Sequence, residues 1–166
     1  MARSSPYVIE YRGRFAFERS PETVWASIEH TENFEAWWPW LRQFRLEGTR
    51  LEDGAVLHGV VSPPVPYQMR VSVVFEHCTR GRAVEASVHG DLEGAATLGL
   101  APRPPGTEAE VWWAVEMMQR PMRLAARVAH PVLRWGHDRV VEATLLGLPP
   151  EFGYAGKYAR GRGFLE

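Results

Sequence analysis

The chain has 166 residues, a length that fits one domain and buries about two thirds of its unfolded surface without disulfides or metal. Hydrophobic residues make up 45% and charged residues 23%, which excludes wholesale disorder. Lys and Arg total 19 against 20 Asp and Glu, a net charge of -1 that argues against a nucleic-acid binder and gives no general pull toward anionic membranes.

From Tyr7 to Glu18 the apolar residues Tyr7, Ile9, Tyr11, Phe15 and Phe17 fall on odd positions, between Glu10, Arg12, Arg14 and Glu18. A period of two predicts a strand with one buried face. Ser20 followed by Pro21 and Glu22 is a helix start, because a serine caps the first free amides and proline fits the first helical position. Val24, Trp25 and Ile28 give that short helix its apolar stripe through about Glu29, and Asn33 to Trp38 predicts a second short helix stopped before Pro39.

Strands follow. Phe44 and Leu46 mark the second strand, Asp53-Gly54 a turn, and Ala55 to Val61 the third, which Pro63, Pro64 and Pro66 interrupt. Tyr67, Met69, Val71, Val73 and Phe75 alternate with polar residues in the fourth. Arg82 to Gly90 is the fifth, the stretch after Gly90-Asp91 to Leu100 the sixth, and Val111 to Met118 the seventh. Pro102 to Gly106 predicts a loop, since proline removes ladder donors.

At Arg120 the period changes to 3.6 and holds to Leu146. Arg123, Arg127, Arg134, Asp138 and Glu142 share one side of this helix, while Ala125, Ala129, Val132, Gly136, Val140 and Ala143 share the other. Pro131 predicts a kink, and Gly147 and Pro149 an end. Short turns between consecutive strands require an antiparallel sheet. The expected fold is therefore α+β: a curved seven-stranded antiparallel sheet around the long C-terminal helix, with two short helices after the first strand. Residues 1–148 form the domain and 149–166 a tail of Gly, Arg and aromatics without periodicity.

This order resembles the helix-grip fold of the START-like, or SRPBCC, superfamily, and within it the bacterial polyketide cyclase/dehydrase-like branch. The local marks are Ser20 to Trp25, Trp37-Trp38-Pro39, the Gly90 to Gly94 segment and Arg134 to Asp138. None of them is a catalytic motif. The resemblance implies a cavity between sheet and helix for a small hydrophobic molecule: a lipid, a polyketide, or another aromatic or terpenoid-like compound. A cyclase or dehydratase working through acid and base groups in that cavity is the alternative, and a partner-binding protein without ligand the third reading.

Strand alternation names the expected walls. They are Met69, Val71 and Val73 from the fourth strand, Val84, Ala86 and Val88 from the fifth, and Leu98, Trp113, Val115 and Met117 from the last two. Met122, Ala125, Ala129 and Leu133 face them from the helix, with Trp37, Trp38 and Trp40 near the mouth. Tyr67, as a proton donor on the apolar face, and His58, as a group titrating near neutrality, are the candidate catalytic residues.

His137-Asp138 suggests an oriented base, but neighbours on a helix diverge by about 100°, which predicts that Asp138 does not hold His137 and pairs instead with Arg134 or, in solvent, with the neighbours of Glu142. No histidine pair has metal spacing with a third ligand nearby, so no metal and no cofactor is expected. Cys78, the single cysteine, has no internal partner. There is no signal-like apolar segment near the start and no run of 18 apolar residues, so a cytoplasmic protein without integral membrane association is expected. The oligomeric state stays open, a homodimer included.

Overall fold

The computed structural model describes residues 7–64 and 68–157. Eight antiparallel strands form one sheet in the order β2-β3-β4-β5-β6-β7-β1-β8. In chain order these are β1 (Val8–Phe17), β2 (Leu41–Glu47), β3 (Val56–Val61), β4 (Met69–Thr79), β5 (Ala83–Gly90), β6 (Leu92–Arg103), β7 (Gly106–Met117) and β8 (Tyr154–Lys157). Two short helices, α1 (Pro21–Glu29) and α2 (Phe34–Trp37), follow β1, and the long helix α3 (Arg120–Leu146) lies across the sheet. The Ser20 hydroxyl accepts from the Thr23 amide at 3.3 Å, so α1 starts where the sequence placed it.

Three departures have local causes. β2 begins at Leu41 rather than Phe44, because its register with β3 shifts between Arg42 and Arg45, where Gln43 takes φ 50°. That bulge breaks the period of two and hides the first half of the strand. The loop expected over Pro102 to Gly106 shrinks to Pro104-Pro105, since Pro102 pairs with Thr107 and Arg103 with Gly106. The Leu100 amide donates to Arg82 O toward the β5 side, so the missing donor of Pro102 falls on that side too, beyond the last β5 partner. The tail is the third. Pro150–Phe152 forms a 3-10 turn, β8 pairs with β1, and Phe152 is 1% exposed against Phe17 and Trp37.

The interior packs in two clusters. One gathers Trp25, Phe75, Val84, Ala86 and Phe152, with Phe15 and Phe17 from β1. The other joins Met69 and Met117 of the sheet to Met122, Ala126 and Leu133 of α3. Ala129 leaves helical geometry at φ -131°, ψ 37°, just before Pro131, which gives the expected kink.

Candidate functional site

Between the two clusters, under α3, lies a cavity of about 430 Å³. The sheet supplies its floor through Ile9 and Tyr11 of β1, Met69 and Val71 of β4, Val88 of β5, Leu98 of β6 and Trp113 and Val115 of β7. Met122, Leu133, His137, Val140, Val141 and Thr144 of α3 form its roof. Trp38 and Trp40 close one end, their rings stacked 5.6 Å apart, and the Trp38 indole donates to Thr144 O at 2.9 Å. That bond ties the segment after α2 to the C-terminal half of α3, and so sets the cavity's length.

The lining is apolar but for a few groups, and most of those are already engaged. The Trp113 indole N–H donates to His137 Nε2 at 3.1 Å. An indole nitrogen can only donate, so Nε2 is the acceptor and the imidazole hydrogen sits on Nδ1. Nδ1 in turn lies 3.4 Å from Asp138 Oδ1, a long contact that corrects the expectation that Asp138 turns away from His137 to Arg134 or the neighbours of Glu142. The exposed carboxylate bends back over the imidazole edge, which the angle between Cβ atoms alone does not exclude. Burial pushes the His137 pKa below its ordinary value, against a smaller opposing pull from Asp138, while Arg134 adds to the lowering. The imidazole is therefore neutral in the cavity wall. Tyr11 stacks on Trp113 with ring centres 4.6 Å apart and lies 5.5 Å from the His137 ring.

Of the residues the sequence named, Trp38, Met69, Val71, Val88, Leu98, Trp113, Val115, Met122 and Leu133 line this cavity, and Val73, Val84, Ala86, Met117, Ala125 and Ala129 do not. Val84 and Ala86 are packed in the cluster around Trp25, with Val73 against it, because that end of the sheet's concave face is covered by α1 and the aromatics of β1 and β4. Met117 is 1% exposed inside the second cluster. On α3 the inward row runs Met122, Ala126, Leu133, so Ala126 takes the place expected of Ala125, and Ala129 is the residue displaced at the kink.

Tyr67 lies outside the described residues. His58 is away from the cavity: its Nδ1 is 2.7 Å from Ser72 Oγ and its Nε2 3.2 Å from Glu47 Oε1, on the opposite face of β3 from Leu57 and Val61. Burial, then Asp53 and Glu52, push the Cys78 thiol up, which disfavours the thiolate. Among the described residues no three His, Cys, Asp or Glu side chains converge as a metal site, and no helix is long and apolar enough to cross a membrane.

No family model and no curated protein matches the chain. Solved structures do. TTHA0849 from Thermus thermophilus superposes with TM-score 0.67 at 15% identity, over 87% of this chain and 97% of that one. The di-domain ARO/CYC protein StfQ from the steffimycin biosynthetic pathway superposes with TM-score 0.64 at 10% identity, covering 86% of this chain and 50% of that one. Ara h 8.0201 gives TM-score 0.55 at 9% identity, over 82% and 95%. The fold is a helix grip.

Sequence reading missed much of the β1 and C-terminal α3 lining of this helix grip's cavity, Tyr11 and His137 among it, and signals for those two exist. Tyr11 shares the odd face of β1 with Phe15 and Phe17, and it pairs in register with Trp113. His137 follows Leu133 by four residues, the helical spacing that keeps two side chains on one face. Its charged neighbours Arg134 and Asp138 drew it instead to the solvent side.

Proposed function

We propose that this protein binds a small, uncharged hydrophobic ligand in the cavity between the sheet and α3. The observation that carries this reading is the space itself. About 430 Å³ falls within the range of about 300–1,000 Å³ found for ligand sites, and the walls are predominantly aliphatic and aromatic. A charged ligand would lose its hydration with no opposite charge among the described wall residues, because His137 is neutral and Asp138 points to the outer edge. Lipids, aromatic polyketides and terpenoid-like molecules share the required chemistry. The same reading keeps the chain in the cytoplasm, where the lone thiol of Cys78 stays reduced.

A cyclase or dehydratase ranks second. Such chemistry needs a donor for a carbonyl oxygen and a base for the adjacent carbon, both aimed at the ligand. His137 is the imidazole in the described lining, burial lowers its pKa, and both its nitrogens are engaged by Trp113 and Asp138. Native mass spectrometry of the purified protein tests the binding reading directly, through an apolar molecule carried along. Val71→Trp should then abolish binding of a hydrophobic fluorescent probe with the circular dichroism unchanged. If this substitution unfolds the chain instead, Val71 sits in filled core, where overpacking costs roughly 1–3 kcal/mol or more.

A further inference from the structure

The outward face of α3 is as unusual as its inward one. Leu124, Val128, Val132 and Trp135 are 65%, 80%, 51% and 48% exposed. Leu124 and Val128 lie four residues apart before the kink at Ala129, and Val132 and Trp135 three apart after it, so each pair shares a helix face and all four meet solvent. Single exposed apolar residues are ordinary, but four large ones gathered on one helix mark an interaction surface. None of the four lines the cavity or belongs to either buried cluster. Arg120, Arg127 and Arg134 are exposed on the same helix, and no Asp or Glu occurs anywhere between Gln119 and His137. Arg123 is half-buried and held by Glu116 and the Met117 carbonyl. Arg127 also contacts the Tyr7 hydroxyl. The net charge of -1 thus conceals a cationic, apolar helix face.

We propose that this face docks on the surface of an anionic lipid bilayer. The helix lies in the plane of the interface, with Leu124, Val128, Val132 and Trp135 at the acyl boundary and Arg120, Arg127 and Arg134 on anionic headgroups. Charge selects this occupant. A second copy docked through the same residues brings two cationic faces together, with no carboxylate in that half of the helix to neutralise them. Trp135 fits the same geometry, since its ring carries the Arg139 guanidinium 5.7 Å from its centre and presents an apolar body beside a wet, charged edge. The docking needs no occupied cavity and stands independently of the ligand.

Co-sedimentation of the full chain with vesicles tests it. Binding is expected to mixed phosphatidylcholine–phosphatidylglycerol vesicles at low salt, to weaken as salt rises, and to be slight with phosphatidylcholine alone. Arg120→Gln with Arg134→Gln should weaken it roughly 25-fold, about fivefold per arginine. Val128→Asp should lower binding at least about tenfold with an unchanged melting temperature, since the residue belongs to neither buried cluster. Val128→Ser makes the same test should the aspartate variant not fold. Equal binding to neutral and anionic vesicles, or wild-type binding by both Val128 variants, overturns the proposal. So does a wild-type dimer in analytical ultracentrifugation that Val128→Asp dissociates, which gives these residues to a second copy.

Discussion

Trp113 and His137 stand 24 positions apart in sequence, one on β7 and one on α3, and their contact fixes a proton. Because the indole occupies Nε2, protonating His137 puts a charge into an apolar wall and breaks that bond. An unfolded histidine titrates near 6.5, and burial holds the folded one lower. Between those two values the unfolded chain binds more protons, so the contribution of His137 is fully present above 6.5 and is lost as pH falls through the folded value. The melting temperature should therefore drop on acidification below about pH 6.5. His137→Phe should lower stability at every pH, by orphaning the Trp113 N–H, yet flatten that slope. Thermal melts of both proteins from about pH 8 to about pH 5 check it, and parallel curves would remove His137 as the cause.

Gly94 makes the second prediction at this scale. A Cβ on Gly94 would overlap the Ala114 carbonyl oxygen and carbon on β7. Gly90, at φ 113°, makes the turn before it. The Gly90 to Gly94 segment is thus a backbone device rather than a ligand loop. Gly94→Ala should destabilise by about 1–3 kcal/mol in urea denaturation, through forced separation of β6 and β7.

Among the elements, β1, β4, β5, α1 and α3 with its kink at Pro131 were legible from their periods, and α2 from the stop before Pro39. Alternation fails where the backbone departs from the ladder, as at Gln43 in β2. It also fails where an element is short and held by tertiary contact. Tyr154–Lys157 has only four residues, too few for a pattern, and its placement depends on Phe152 reaching Phe17 and Trp37 across the molecule. The segment from 149 to 157 is consequently part of the packed body. Phe152→Ala should cost about 3–5 kcal/mol, and truncation after Leu148 should destabilise at least as much, because it also uncovers the edge of β1. Denaturant midpoints equal to that of the full chain would return the segment to the status of an appendage.

At the scale of the molecule, the curled sheet and its gripped helix were readable, because the switch from period two to 3.6 at Arg120 leaves few other ways to cover one apolar face. The extent of the cavity was not. Period two says which side of the sheet a residue faces, and says nothing of what stands opposite. β5 shows the difference within one strand. Val84 and Val88 are on the same face and are equally buried, 6% and 7% exposed. Val84 meets the cluster around Trp25, whereas Val88 borders the empty volume beneath α3. The two should part under the same substitution. Val84→Trp has nowhere to place its ring and should cost about 1–3 kcal/mol or prevent folding. Val88→Trp can project into about 430 Å³ of space, should hold the melting temperature close to wild type, and should displace a hydrophobic probe. Denaturation curves and probe titrations of the pair decide it. Equal destabilisation would mean that the interior is filled along the whole strand, and no ligand site would remain there.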